Sequence, residues 1–459
     1  MDKKEAFKRV IIESQSLRPE LISREVRLPT DLQKVITLYG PRRSGKTYLF
    51  YQTMLELEKV GVPAKKILYI NFEDERILPF SKDDWEILLE SFFELYPENV
   101  GEKMYLFLDE VQEAPYWDKF VRRMSEKNEF RIFLTGSSSK LFSKEIATSL
   151  RGRTISFFLT PFSFRETLSA KGLKTPAFVE HSRQRHLIKK EFSIYLKFGG
   201  FPETIEKEDP IKIRILQEYF ELVFYRDIVE RHKVRNYTLM KELMRYLVNN
   251  FASLFSMMGY YNLLKSSGQK TGKDTICEYV SWLEDVNFVK FVQFYDYSIK
   301  RRAVNPKKIY CIDTGLITAV APQFSENKGR YLENTVYLEL LRRGKEVFYW
   351  KDSAGREVDF LVAERGKPKQ LIQATMSIED NKVKERELTP LLAAAERFKI
   401  DDCLILTDDQ SAEIFAEASP KGAAGASPKG AAEASPKGTS GRLKIKVRPI
   451  WSWLLEKRV

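Results

Sequence analysis

The sequence is poor in the residues that build metal centres and covalent scaffolds. Cysteine occurs three times, at Cys277, Cys311 and Cys403, and histidine only three times. The cysteines form no CxxC pair and the histidines no spaced ligand set, which excludes a zinc ribbon and a disulfide framework. Thiols this sparse fit a reducing, cytoplasmic compartment. No run of about 18 apolar residues occurs, so neither a spanning helix nor a membrane partner is expected. Residues 1–9 are charged and lack the apolar stretch of a secretory signal. With 43% hydrophobic and 13% aromatic residues, a mainly disordered chain is excluded.

A chain of 459 residues exceeds one ordinary core, so two to four domains are expected. Lys plus Arg number 76 against 64 for Asp plus Glu, a net +12 that leans mildly toward an anionic partner.

Over the first 160 residues, strand-like and helix-like segments alternate. Apolar runs at 35–39, 67–72, 105–108 and 132–134 read as strands, with helices at 46–60, 83–95 and 116–125 between them. That alternation predicts an α/β fold with a parallel sheet covered on both faces. The pattern turns helical from 161 to 235. Three helix candidates and two strand candidates flanking a basic turn then fill 236–316, the order of a winged helix-turn-helix. Residues 329–459 read as a second α/β domain. It is interrupted at 417–441, where Ala-Ser-Pro-Lys-Gly recurs three times at a period of eight. Such residues bury no apolar surface, and the segment reads as a flexible loop.

The clearest chemistry lies at Gly40-Pro-Arg-Arg43-Ser44-Gly45-Lys46-Thr47, which fits G-x-x-x-x-G-K-[ST] between a strand and a helix. Glycines let backbone N–H groups wrap phosphates, and the helix start adds partial positive charge. ATP is the expected ligand, held by Gly40, Arg43, Ser44, Gly45, Lys46, Thr47 and Tyr48. Lys46 would reach the terminal phosphates, and Thr47 would ligate Mg²⁺. Residues 104–108 are an apolar strand ending in Asp109 and Glu110. Asp109 would hold Mg²⁺, while Glu110 would polarise the attacking water. The next strand ends at Thr135 and Ser137, which either sense the terminal phosphate or form an ordinary polar turn. Arg153 either supplies an arginine finger or contacts phosphate, or belongs to a solvated basic turn.

These motifs occur in a telling order with others: Leu134-Thr135-Gly136-Ser137, Gly152-Arg153, Pro161-Phe162-Ser163-Phe164, Phe198-Gly199-Gly200-Phe201-Pro202 and Tyr225-Arg226-Asp227. Lys308-Ile309-Tyr310-Cys311-Ile312-Asp313-Thr314-Gly315-Leu316 and Glu357-Val358-Asp359-Phe360 follow. The chain thereby resembles a widespread archaeal and bacterial family of AAA+ ATPases of the signalling-type (STAND-like) branch. The resemblance covers nearly the whole chain apart from the repeats. It implies an ATPase module with a helical lid, a winged helix, and a C-terminal domain like the PD-(D/E)XK nuclease fold.

A nuclease of that fold needs acids on adjacent elements to hold a divalent metal, and a lysine to stabilise developing charge. Glu333 on the opening helix, Asp359 on a strand and Gln373 on the next strand supply a candidate second metal site. Thr375 stands where the pattern has lysine, leaving Lys382 or Lys384 to substitute. The site therefore reads either as an active nuclease or as a retired one used for binding. In the winged helix, Lys273 and Thr275 open the recognition helix, and Lys300, Arg301 and Arg302 lie in an acid-free basic run. They are the candidate DNA contacts; a lid or oligomer contact is the other reading. The sequence reading is thus an Mg²⁺-ATP-dependent ATPase, possible as a homo-oligomer, that acts on or is regulated by DNA. A nucleotide-driven switch for a protein partner and an ATP-regulated nuclease are the alternatives.

Overall fold

The computed structural model describes residues 2–136, 150, 152–176, 179–321, 324, 326–416 and 442–456. The repeats at 417–441 lie outside the described residues, as do Ser137 and Arg151. The chain divides into two compact units, the first made of residues 1–174, 200–240 and 278–288, the second of 175–199, 241–277 and 289–459.

The first unit is built on five strands: β1 (Val35–Tyr39), β2 (Ile67–Asn71), β3 (Met104–Asp109), β4 (Phe130–Gly136) and β5 (Thr154–Phe158). Their order is β2-β3-β4-β1-β5 and every pairing is parallel. Side chains alternate across a strand, so each strand feeds two cores. Leu106 and Leu108 of β3 join Phe7, Val10 and Ile11 of the helix Lys3–Ser16 and Phe120 of the helix Trp117–Ser125. Tyr105 and Phe107 turn the other way, toward Leu49, Phe50 and Leu57 of the helix Lys46–Lys59. There Phe107 stacks on Phe133 with ring centroids 4.4 Å apart. Burying each such ring contributes about 1.5–3 kcal/mol, so a sheet covered on both faces is the stable arrangement for these near-continuous apolar strands.

The sequence pattern misses β5 and the first helix. In β5, Thr154 and Ser156 interrupt the apolar residues, so the strand lacks the continuous apolar run that marks its neighbours, and Ile155 and Ser156 are exposed. In Lys3–Ser16 only Ala6, Phe7, Val10 and Ile11 are buried, a narrow stripe in a strongly charged segment.

The second unit contains a small antiparallel sheet of order β6-β8-β7, from β6 (Leu254–Phe255), β7 (Val289–Val292) and β8 (Lys307–Cys311). It also contains a six-stranded mixed sheet of order β13-β14-β12-β11-β10-β9. Its strands are β9 (Glu346–Lys351), β10 (Glu357–Glu364), β11 (Lys367–Ala374), β12 (Asp402–Thr407), β13 (Ala412–Ala416) and β14 (Leu443–Pro449). The first three form an antiparallel meander, and β11, β12 and β14 are parallel. A parallel neighbour needs a crossover, and the helix Asn381–Phe398 supplies it between β11 and β12. Its Leu391, Ala394 and Ala395 pack with Val358, Leu361, Leu371 and Ile405 of the sheet. The basic segment expected as a turn is instead a short helix, Ile299–Val304, capped by the Ser298 hydroxyl. Among the described residues, no helix is long and apolar enough to cross a membrane.

Candidate functional site

At the carboxyl end of β1 the chain turns through Gly40 to Gly45 and enters the helix Lys46–Lys59. Gly40 is required by close approach: a Cβ there would sit 2.1 Å from the Leu159 carbonyl oxygen. Gly45 caps the helix at φ 91°, a left-handed conformation that side chains disfavour. A buried residue from outside the motif holds the loop from below. Arg24 donates to the Ser44 carbonyl at 2.6 Å and to the Thr160 carbonyl at 2.8 Å, and pairs with Glu166 at 2.9 Å. Glu166 in turn closes a capping box with Ser163, which gives the Pro161–Phe164 motif a structural task.

Lys46 Nζ donates to the Gly40 and Pro41 carbonyls at 3.2 and 3.3 Å and lies 3.6 Å from Glu110 Oε1. Asp109, fully buried at the end of β3, accepts hydrogen bonds from Tyr69 at 3.0 Å, from Thr135 and from Thr47. Burial and then the Glu110 charge push its carboxyl up, against the pull of those three hydroxyls. For Glu110, burial is outweighed by Lys46, Gln112, Arg42 and Arg231, and the net direction is down. Glu110 has φ 49°, a strained conformation for a residue with a side chain, costing about 1–3 kcal/mol. Its amide donates to Thr135 Oγ1 at 2.8 Å, which steadies that turn. The structure thus brings Gly40, Ser44, Gly45, Lys46, Thr47, Asp109, Glu110 and Thr135 together. Arg43 and Tyr48 are exposed at the same cleft.

The arrangement fits a nucleotide and a divalent cation. Among the described residues, Ser44 Oγ is buried without a hydrogen-bond partner. Lys46 is folded onto the loop's own carbonyls, where phosphate oxygens would be better acceptors. Of the two adjacent buried acids, Glu110 faces Lys46 and Asp109 meets the hydroxyls of Thr47, Tyr69 and Thr135.

Arg42 and Arg231, which line this cleft, and Asp227, bonded to Arg42, escaped the sequence reading as functional candidates. Arg42 donates through Nε to Asp227 at 2.7 Å and lies 3.4 Å from Glu73. Asp227 sits in a π-helical turn, Val223–Val229, and Arg231 on the turn that follows lines the cleft. Such π turns concentrate at functional positions.

One candidate is corrected. Arg153 stands at the amino end of β5, beside Val35, and pairs with Glu126 at 3.2 Å. A strand of five residues, about 16 Å, separates that end of the sheet from the P-loop of the same chain.

In the second unit, Glu333, Asp359 and Gln373 do converge, but the cluster already holds a lysine. Lys308 of β8 places its ammonium 2.7 Å from Glu333, 2.6 Å from Glu357 and 3.0 Å from Asp359. The lysine comes from neither Lys382 nor Lys384. Gln373 is spent inside the cluster: its Oε1 accepts from the Asp359 amide at 2.6 Å, and its Nε2 donates to Glu387 at 2.8 Å. Among the described residues, no group of three or more His, Cys, Asp or Glu side chains is arranged to hold a metal ion. The second metal site expected from the sequence is corrected accordingly.

The candidate DNA contacts also divide. Lys273 and Lys300 are exposed, Thr275 is half-buried, and Arg301 is exposed with Asp296 at 3.4 Å. Arg302 is turned inward: it donates to the Asp296 carbonyl at 2.5 Å and lies 5.1 Å from the ring centroids of both Tyr295 and Phe348. Lys308 is therefore buried and Arg302 half-buried against two rings, which shrinks the basic patch.

Residues 32–168 match a family described as an AAA domain, and 189–327 and 328–417 match two domains of unknown function, DUF8612 and DUF4143. Over 409 residues the chain is 37% identical to the uncharacterized protein MJ1544 of Methanocaldococcus jannaschii, spanning 88% of each. It is 32% identical over 355 residues to an uncharacterized protein of Haemophilus influenzae, spanning 77% of this chain and 84% of that one. The Walker-type ATPase PABY2304 of Pyrococcus abyssi aligns with a TM-score of 0.40 at 15% identity, over 69% of this chain and 95% of that one. The chain belongs to the family that includes MJ1544 and the Haemophilus protein, and its amino-terminal part is an AAA-type, nucleotide-binding ATPase domain.

Proposed function

We propose that the protein hydrolyses ATP in an Mg²⁺-dependent reaction at the Gly40–Thr47 loop, and that DNA regulates or receives that activity. The observation that carries the first part is the convergence of Lys46, Thr47 and Glu110 at one cleft, with buried Asp109 hydrogen-bonded to Thr47. A bound Mg²⁺ would neutralise phosphate charge, with Thr47 and Asp109 as its protein-side holders. Lys46 would leave the Gly40 and Pro41 carbonyls for the terminal phosphates, where negative charge builds. Glu110 would then lose its nearest cation and become free to orient and polarise a water. Thr135 holds the Glu110 amide and touches Asp109, so it couples the state of the two acids.

We read 1–160 as the ATPase core, 161–235 as its lid, 236–316 as a winged helix and 329–459 as a nuclease-like fold. The helices Tyr237–Asn249, Met257–Ser266 and Lys273–Asp285, followed by β7 and β8, support the winged-helix reading. Lys273, Lys300 and Arg301 remain exposed for phosphate contacts, which supports DNA as the partner. The inward placement of Arg302 and Lys308 favours the second reading, a nucleotide-driven switch that binds protein.

ATP turnover measured with and without DNA, at several salt concentrations, tests both parts. Turnover that needs Mg²⁺ and rises with DNA supports the proposal. Turnover indifferent to DNA, with no DNA binding at low salt, favours the protein switch.

A further inference from the structure

The acid cluster of the second unit is organised around an ammonium group. Lys308 and Tyr310 lie two apart on β8 and share a face. That face meets Glu333 of the helix Lys328–Arg342 and Glu357 and Asp359 of β10. Lys308 is 4% exposed at its side chain, and its three N–H donors meet three carboxylates at 2.6–3.0 Å. Tyr310 donates to the same Glu333 oxygen at 2.7 Å. The second oxygen of Asp359 accepts the Ala374 amide at 3.0 Å.

A divalent cation between these acids needs the same inward oxygens, at roughly 2.0–2.1 Å for Mg²⁺. Glu333 Oε1, Glu357 Oε1 and Asp359 Oδ1 all point at Lys308 Nζ, so metal and ammonium compete for one position. A buried ammonium with three carboxylate partners is strongly held, since leaving water for any single partner would be unfavourable.

We propose that Lys308 is the resident cation of this cluster, occupying the place between Glu333, Glu357 and Asp359 that a divalent metal would take, so that the native cleft excludes Mg²⁺ and Mn²⁺. Removing the ammonium converts the cluster into a divalent-cation site. The inference does not rest on the ATPase reading, because every group in it belongs to the second unit.

Mn²⁺ titration of the nucleotide-free, full-length chain, followed by electron paramagnetic resonance, tests it. Wild type and Asp359→Asn should bind the same number of Mn²⁺ ions. Lys308→Ala should gain one ion per chain, and Lys308→Ala combined with Asp359→Asn should lose it again. Lys308→Gln, which keeps a long side chain, serves if Lys308→Ala does not fold, and should gain the same ion. An Mn²⁺ ion bound by wild type and lost in Asp359→Asn overturns the proposal. So does a folded Lys308 variant that gains no ion.

Discussion

Arg42 Nε donates to Asp227 Oδ1 at 2.7 Å, tying the phosphate loop to the π-helical turn Val223–Val229. Burial pulls the Arg42 guanidinium down, but Asp227, with Glu110 and Glu73 behind it, more than offsets this and the net direction is up. Asp227 is itself nearly inaccessible, so the pair is a positional constraint rather than a surface decoration. Removing one partner leaves a buried charge, at a cost of about 3–5 kcal/mol for a fully buried pair and less here, where the arginine side chain is 19% exposed. We expect Asp227→Ala to lower stability by about 2–3 kcal/mol, below the range for a fully buried pair. It should also weaken ATP binding. Urea unfolding and titration with a fluorescent ATP analogue measure the two effects; no change in either removes the constraint.

Glu110 is expected to act in turnover rather than binding. A positioned base contributes about 10²–10⁴-fold to a rate. Glu110→Gln should therefore keep ATP affinity within about threefold of wild type while lowering kcat by at least about 100-fold. Single-turnover hydrolysis beside equilibrium binding separates the effects, and a proportional loss of both would assign Glu110 to binding.

The two ends of this chemistry were not equally legible. Gly40 to Thr47 and Asp109-Glu110 are contiguous motifs whose flanking apolar strands announce their position, so sequence reasoning reached them. Arg24, Asp227 and Lys308 are not of that kind. Arg24 meets Glu166 across 142 positions, and Arg42 meets Asp227 across 185. No local pattern marks such pairs. Lys308 escaped for a related reason: the sequence places it within a strand motif, and only the face of β8 decides that it points at three acids. The sheet order β2-β3-β4-β1-β5 likewise required an edge strand, β5, whose apolar residues are interrupted by Thr154 and Ser156.

Glu333 carries a pH dependence. Burial is the largest influence and Asp359 adds to it, against Lys308 and Tyr310, and the carboxyl is pushed up to about 7 from its ordinary 4.5. The folded chain therefore binds more protons than the unfolded chain between those values. This contribution is fully present below pH 4.5 and is lost as pH rises through 7. We expect wild type to lose stability relative to Glu333→Gln from pH 5 to 8. Parallel urea series at each pH give the difference; a flat difference would mean that Glu333 does not titrate there.

DNA contact is expected from Lys273, Lys300 and Arg301, not from Arg302. Replacing the three with Ala should weaken binding across all sequences and flatten log affinity against log salt by about 0.9 per lost contact. Arg302→Ala should instead lower the melting temperature, because its guanidinium packs on Tyr295 and Phe348. Fluorescence anisotropy at several salt concentrations reads the slopes. Equal slopes for wild type and triple variant would remove this surface from any DNA interface.

The most direct measurement is steady-state phosphate release from ATP by wild type and Lys46→Ala, each with Mg²⁺ and with excess chelator. Lys46 places its ammonium within reach of both the loop carbonyls and Glu110. We expect turnover in wild type only with Mg²⁺, and the loss of nearly all of it in Lys46→Ala under either condition. Undiminished turnover in Lys46→Ala, or turnover by wild type that survives chelation, would contradict hydrolysis at this loop.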